Sequence, residues 1–177
     1  MASLTKRVYW DACVWLALIL RERIPLSGGE VEDRETMCRT VIEAAKKGSL
    51  EILTSTLCLV EVCKVPADKK ATSDKVADFF ENEYILMTNV DRMVAERARD
   101  LMVRHPGLKP PDAVHVATAA VSPGVEEMHT FDDRLLALNG VVDKTDSTKL
   151  KICKPDAGAP PAPLLEAMHG AKQEEIK

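Results

Sequence analysis

The chain has 177 residues, of which 46% are hydrophobic and only 4% aromatic, and its formal net charge is −4. This length suits one domain with a modest extension, and a core poor in aromatic residues favours helices packed on a buried parallel sheet over an aromatic-rich β-sandwich. The acidic balance argues against binding nucleic acid by bulk charge alone, although carboxylates gathered at a metal site would contribute to the same total.

The cysteines and the apolar segments are typical of a cytoplasmic protein. None of the five cysteines forms a Cys-x-x-Cys pair, which indicates free thiols in a reducing compartment. The four histidines lack the clustered spacing of a zinc site. The apolar run over residues 8–20 is interrupted by Asp11 and is too short to span a bilayer, and no cleavage site follows it. We therefore expect a soluble, cytoplasmic protein without a membrane partner.

Short strands and helices alternate along the chain. The first half predicts a strand over residues 7–10, a helix over 13–20, a helix over 32–47, a strand over 50–53, and helices over 57–64 and 72–81. The second half predicts a strand over 84–87, helices over 91–104 and 112–121, a strand over 127–130, a helix over 132–139 and a strand over 150–153. Between the first two helices, Pro25, Gly28 and Gly29 predict a loop.

This alternation indicates βαβ units. It predicts an α/β fold with a doubly wound parallel sheet of about five strands, flanked by helices on both faces. From residue 154 the composition changes, with four prolines among alanine and glycine. We therefore expect a domain over residues 1–153 and a Pro/Ala-rich tail over residues 154–177.

Four carboxylates follow strands or begin helices of the predicted sheet. Asp11 comes directly after the first strand and Asp132 directly after the fourth. Glu61 lies about one and a half turns into the helix after the second strand, and Asp112 begins a helix. Because sites in doubly wound sheets form beyond the carboxyl ends of the strands, we expect these side chains to meet at one edge.

Such a cluster requires compensating positive charge. Two unit charges about 4 Å apart repel by about 4 kcal/mol at an effective dielectric of about 20, so four carboxylates imply raised pKa values or bound cations. Hard oxygen ligands select Mg²⁺ or Mn²⁺, which would lower the pKa of a bound water and stabilise charge on phosphate oxygens. The predicted catalytic and metal-binding residues are therefore Asp11, Glu61, Asp112 and Asp132.

Four segments resemble the acidic motifs of the PIN-domain ribonuclease family, in the family's order and with similar spacing. They are residues 8–11 (Val-Tyr-Trp-Asp), 54–62 (Thr-Ser-Thr-Leu-Cys-Leu-Val-Glu-Val), 111–119 (Pro-Asp-Ala-Val-His-Val-Ala-Thr-Ala) and 130–132 (Thr-Phe-Asp). The third segment, followed by the fourth, is the most distinctive part. The resemblance covers about residues 7–153, and the overall pattern of the chain is close to that of the VapC-type toxins.

The resemblance implies a metal-dependent endoribonuclease whose products carry 5′-phosphate and 3′-hydroxyl ends. Asp11, Glu61, Asp112 and Asp132 match the acidic positions of the family. Thr130 is a weaker match, as a hydroxyl often placed near the metal. The implied cofactor is Mg²⁺ or Mn²⁺, and the implied partners are an RNA substrate, a second copy of the chain and an antitoxin protein. An antitoxin helix would be expected on the helices of residues 32–81. Residues 21–34 and the tail are long beside the compact toxins.

Other roles compete for single residues. An aspartate after a strand is usually a helix cap, and Asp112 is also well placed to interact with a helix dipole. Independent caps, however, have no reason to match four motifs in order. Asp133 is the rival of Asp132 and suits a solvated surface position. For His115, on a helix rich in alanine and valine, packing or hydrogen bonding is the expected role.

Two further functions compete with the nuclease. A non-catalytic RNA-binding or scaffold module could keep the fold, although a degenerate site would be expected to have lost acids. A receiver-like signalling domain would require an acidic pair after the first strand and a phosphoacceptor aspartate after the third. Here Asp11 stands alone, and the third strand is followed by Met87, Thr88 and Asn89.

Overall fold

The computed structural model describes residues 6–62 and 79–158. Its strands are β1 (Lys6–Trp10), β2 (Arg23–Pro25), β3 (Val31–Asp33), β4 (Leu50–Ser55), β5 (Ile85–Thr88), β6 (Val125–His129) and β7 (Lys151–Cys153). Its helices are α1 (Ala12–Leu20), α2 (Arg34–Lys46), α3 (Leu57–Val62), α4 (Arg92–Arg104), α5 (Pro110–Val121) and α6 (Asp133–Leu136).

Five strands form one sheet in the order β5-β4-β1-β6-β7, and each neighbouring pair is parallel. The central strand β1 pairs with β4 on one side and with β6 on the other, so that Val8 lies opposite both Ile52 and Glu127. The predicted α/β fold with a parallel sheet of about five strands is confirmed. The carboxyl ends of β1, β4 and β6, after which the sequence places its acids, are neighbours at one edge.

The two faces of the sheet bury separate apolar cores, because side chains alternate along each strand. On one face, Val8 and Trp10 pack with α1 and α2, and the rings of Trp10 and Trp15 lie 4.7 Å apart between centroids. On the other face, Tyr9 packs with α4 and α5. The buried alanines of α5 allow this helix to lie close to the strands.

The segment after α1 differs from the prediction, since β2 and β3 form an antiparallel hairpin where a loop was expected. The Leu26 N–H donates to the carbonyl of Glu30 at 2.8 Å, which closes the turn. Gly28 and Gly29 have φ values of 131° and 84°, a conformation that residues with a side chain rarely adopt. Strands of three residues are too short to show a period-two pattern, so the sequence does not reveal them.

Several helix boundaries also shift by a few residues. Helix α2 begins at Arg34 because Asp33 caps it, accepting the N–H of Thr36 at 2.9 Å. Helix α5 begins at Pro110, two residues before the predicted start, and α6 ends at Leu136.

Some predicted elements lie outside the described residues. These are residues 63–64 and 72–78 of two predicted helices and the tail from residue 159. The described chain continues beyond β7, where Pro155 is buried and Ala157 packs on the core formed with α1 and α2. Across the described ranges, no helix combines the length and hydrophobicity that a membrane crossing would require.

Candidate active site

Asp11 lies at the carboxyl end of β1 and caps α1. Its Oδ1 accepts the N–H of Val14 at 3.2 Å and the thiol of Cys13 at 2.9 Å. Burial raises the pKa of Asp11 above the ordinary range of an aspartate, and the nearby His115 partly opposes the shift. A carboxylate in this position is therefore costly to ionise unless a positive charge lies beside it.

Glu61 projects from α3, the helix that follows β4, and is held by a buried histidine. Its Oε2 lies 2.7 Å from Nε2 of His115, and the other ring nitrogen of His115, Nδ1, lies 2.7 Å from the hydroxyl of Tyr9. When the ring is neutral, its proton lies on Nε2 facing the carboxylate, and Nδ1 accepts from the Tyr9 hydroxyl. Burial raises the pKa of Tyr9 well above its ordinary value, which keeps the donating proton on the phenol.

Asp112 lies in the first turn of α5, where a negative charge interacts favourably with the helix dipole. Its Oδ2 is buried and has no hydrogen-bond partner among the described residues. Burial, followed by the neighbouring Asp132, raises the pKa of Asp112. A buried carboxylate oxygen that accepts no hydrogen bond is unusual in a folded protein, and a bound cation would satisfy it.

Asp132 follows β6 and caps the short helix α6, and Arg134 is its direct cationic partner. Arg134 donates to it three times: the backbone N–H to Oδ1 at 2.8 Å, Nε to Oδ1 at 3.1 Å and Nη2 to Oδ2 at 2.6 Å. These bonds hold the pKa of Asp132 below its ordinary range. Nη2 of Arg134 also lies 3.6 Å from Oδ2 of Asp112, so one guanidinium bridges two acids.

The four predicted acids line one pocket of about 240 Å³. Its lining residues are Asp11, Ala12, Cys13, Leu16, Glu61, Asp112, His115, Asp132 and Leu135. Thr130 is fully buried beside it, where its hydroxyl accepts the N–H of Asp132 at 3.1 Å and lies 3.4 Å from the Cys13 sulfur. The structure therefore brings together acids that lie up to 121 positions apart in the sequence, and Asp133 remains exposed outside the pocket.

Sequence reasoning did not single out Cys13 or Arg134. Each lies two positions after a predicted acid, Cys13 after Asp11 and Arg134 after Asp132. That spacing places both residues in the first turn of a helix capped by the acid, which is the signal that could have drawn attention to them.

The donor set of the pocket fits a hard divalent cation. It offers the carboxylate oxygens of four acids, one of them the buried Oδ2 of Asp112, which accepts no hydrogen bond from the described residues. Oxygen ligands of this kind select Mg²⁺ or Mn²⁺ over softer metals. Arg134 supplies one positive charge against these acids, which leaves the pocket negative.

A second group of potential metal ligands lies on β6 and β7, away from the pocket. The ligand atoms of Glu127, His129 and Cys153 all lie within 4.8 Å of one another. Glu127 is, however, already paired with the ammonium groups of Lys6 at 2.5 Å and Lys151 at 2.6 Å. Two cations beside the one carboxylate disfavour a third, so this group fits a structural ion-pair network better than a metal site.

Comparison with known proteins places the fold in a defined family. The sequence pattern of the PIN domain matches residues 8–141. A search of curated proteins finds no match. Among solved structures, the chain is similar to the sarcin–ricin loop cleaving toxin VapC20 of Mycobacterium tuberculosis, with a TM-score of 0.53 and 18% identity over 71% of this chain and 89% of that one.

A second similar structure is a chain from a toxin–antitoxin complex of Klebsiella pneumoniae, with a TM-score of 0.53 and 20% identity over 73% of this chain and 90% of that one. At these identities the likeness concerns the fold. The PIN-domain pattern is the stronger finding, since it spans the strands from β1 to β6 and the helices between them. The chain belongs to the PIN-domain family.

Proposed function

We propose that the chain is a metal-dependent endoribonuclease, of the VapC toxin type, that hydrolyses RNA phosphodiester bonds. The observation that carries this proposal is the pocket lined by Asp11, Glu61, Asp112 and Asp132. The buried Oδ2 of Asp112, without a hydrogen-bond partner among the described residues, supports a cation at this position. A carboxylate cluster kept at the edge of the sheet against its electrostatic cost is expected where it binds a cation.

Mg²⁺ or Mn²⁺, when bound by these acids, would supply a water of lowered pKa and stabilise charge on the phosphate. The chain's own residues orient the donor oxygens. Asp11 and Asp132 are fixed as helix caps, and Glu61 is fixed through its bond to His115. The apolar side chains of Leu16 and Leu135 line the same pocket.

The partners of this proposal are RNA, a second copy of the chain and an antitoxin protein. The similar Mycobacterium tuberculosis chain is described as a toxin that cleaves the sarcin–ricin loop, and the Klebsiella pneumoniae chain comes from a toxin–antitoxin complex. The first description supports RNA cleavage by this chain, and the second supports an antitoxin partner. We place the activity in the cytoplasm, in a nuclease domain of residues 1–153 followed by a tail of residues 154–177.

The test is cleavage of a single-stranded RNA by wild type, Asp11→Asn and Asp112→Asn, each with Mn²⁺, with Mg²⁺ and with EDTA. We expect wild-type cleavage that requires the metal and a loss of at least about 100-fold in both variants, because each removes a charged oxygen ligand. Asp133→Asn is the matched control, since Asp133 is an exposed acid next to Asp132, and it should retain wild-type activity.

Equal cleavage by wild type and Asp11→Asn would remove the proposed site. RNA binding that is unaffected by metal, with no cleavage under any condition, would instead favour a non-catalytic RNA-binding module.

A further inference from the structure

Arg134 is the basic side chain that ion-pairs with the acids of the pocket in the described part of the chain. Its guanidinium holds Asp132 through two bonds, from Nε to Oδ1 and from Nη2 to Oδ2, and reaches Asp112 at 3.6 Å. Each oxygen of Asp132 that a metal would use is therefore engaged by the arginine. The guanidinium and a metal ion would compete for the same lone pairs of Asp132, so each would bind this carboxylate more weakly in the presence of the other.

The setting of Arg134 allows it to leave. Its side chain is half exposed, and its ion-pair partners among the described residues are Asp132 and Asp112. It stands on the four-residue helix α6, whose cap is Asp132 itself. A guanidinium released from Asp132 would thus stay beside the pocket without breaking another described ion pair.

We propose that Arg134 is an internal counter-ion of the acidic pocket, which a divalent cation displaces and which then binds the RNA phosphate at the site. This inference rests on the proposed ribonuclease function. The planar guanidinium suits both states, since it forms paired hydrogen bonds with a carboxylate and with a phosphate. When RNA is bound, the displaced arginine has exchanged one anionic partner for another, so its positive charge is again compensated.

A purely structural role for Arg134 predicts the opposite behaviour. If the arginine only orients Asp132, its removal frees that carboxylate to rotate, and metal binding weakens or stays unchanged. If the arginine competes with the metal, its removal strengthens metal binding while it slows RNA cleavage. Only if the arginine competes with the metal does its removal raise the metal affinity and lower the rate of RNA cleavage.

The experiment measures Mn²⁺ affinity by calorimetry, without RNA, for full-length wild type, Arg134→Ala and Arg134→Lys. We expect Arg134→Ala to bind Mn²⁺ about fivefold more tightly, the size of effect expected from removing a favourable, partly exposed ion pair. Arg134→Lys keeps the positive charge but loses the paired donors of the guanidinium, so its Mn²⁺ affinity should lie between those of wild type and Arg134→Ala. Arg92→Ala is the control, because Arg92 pairs with an exposed glutamate on α4, and it should bind as wild type does.

The second readout is RNA cleavage at saturating Mn²⁺, where we expect Arg134→Ala to lower kcat/KM by about tenfold. Unchanged or weaker Mn²⁺ binding by Arg134→Ala would overturn the counter-ion role, and unchanged kcat/KM would overturn the phosphate role. If wild type cleaves RNA and Asp11→Asn does not, either result refutes this inference alone. Tighter Mn²⁺ binding by Arg134→Ala, in a protein that cleaves no RNA, would support the counter-ion role while refuting both the phosphate role and the ribonuclease proposal.

Discussion

At the scale of single residues, the pocket depends on a buried chain of hydrogen bonds that runs from Tyr9 through His115 to Glu61. We predict that Tyr9→Phe destabilises the fold by about 1 kcal/mol, because it leaves Nδ1 of His115 without its donor. We also expect kcat for RNA cleavage to fall by about tenfold, since residues behind a metal ligand typically affect activity to this extent. Urea denaturation and steady-state kinetics measure the two effects.

Tyr84→Phe is the matched control for this change. It removes a phenolic hydroxyl from a partly buried side chain on the opposite core, and it should leave kcat at the wild-type value. If Tyr9→Phe loses stability but keeps full activity, the hydrogen bond to His115 supports only the core and not the position of Glu61.

The acids of the pocket could be predicted from the sequence, but their partners could not. The sequence predicts Asp11 and Asp132 as site residues because each follows a strand, and the topology of a parallel sheet brings such positions together. The bonds of His115 to Tyr9 and Glu61 join residues 106 and 54 positions apart. They depend on how α5 and α3 pack, which local patterns do not specify. Arg134 is close in sequence to Asp132, yet its contact with Asp112, 22 positions away, likewise depends on the tertiary structure.

At the scale of secondary-structure elements, Glu127 links three neighbouring strands of the sheet. It lies on β6 and receives hydrogen bonds or ion pairs from His129, from Lys6 on β1 and from Lys151 on β7. Burial alone would raise the pKa of Glu127, but the bonds from His129, Lys151 and Lys6 outweigh it and hold the pKa well below the ordinary range. The folded state therefore favours the ionised carboxylate.

The lowered pKa of Glu127 predicts a pH-dependent stability. Its contribution is complete above the unfolded pKa of a glutamate, about 4.3, and is lost as the pH falls through the lower folded value. We expect Glu127→Gln to lose about 2 kcal/mol at neutral pH, as is typical for hydrogen bonds to a charged group. We also expect its free energy of unfolding to fall less steeply than that of wild type below about pH 4. Urea denaturation at several pH values measures both.

Glu96→Gln is the control, because Glu96 forms an exposed pair with Arg92 and should change stability by less than about 1 kcal/mol. A parallel decline of wild type and Glu127→Gln on acidification would show that Glu127 is not the group responsible.

The hairpin of β2 and β3 is the element that the sequence does not predict, and its contacts with distant residues explain why. Arg34, just after the hairpin, donates to Glu32 at 2.7 Å and to Glu22 at 3.1 Å, and its guanidinium lies 4.6 Å from the ring centroid of Phe131. Lys154 pairs with the same Glu32. Contacts with residues near 131 and 154 stabilise the hairpin, so the local sequence of residues 21–34 carries little of the signal.

At the scale of the whole molecule, the architecture was predictable because buried parallel strands and amphipathic helices each have a distinct period. All five predicted strands of the sheet are present, with boundaries within two residues. No local sequence pattern predicts the order of the strands in the sheet. The long-range pairing of β1 with β4 on one side and with β6 on the other sets this order. This strand order brings the four acids together at one edge of the sheet. Their mutual repulsion there lowers the stability of the fold, while the proposed function requires them to be close together.

The cost of the acidic cluster to the stability of the fold can be measured at Asp112. Its folded pKa is raised, so its contribution to stability is present below the unfolded aspartate pKa of about 3.9 and is lost as the pH rises through the folded value. At pH 7.5 in EDTA, the ionised carboxylate therefore weakens the fold. We predict that Asp112→Asn, which keeps the shape but not the charge, is more stable than wild type by on the order of 1 kcal/mol in thermal denaturation.

Mn²⁺ should reverse the order of the two proteins, since a ligand at about 100 times its Kd stabilises the folded state by about 2.7 kcal/mol and the variant has lost a ligand oxygen. The exposed Asp133 provides the control, because Asp133→Asn should follow wild type in both EDTA and Mn²⁺. Should Asp112→Asn prove less stable than wild type in EDTA, the Asp112 carboxylate would be a structural group. The cluster would then require no cation to offset its charge.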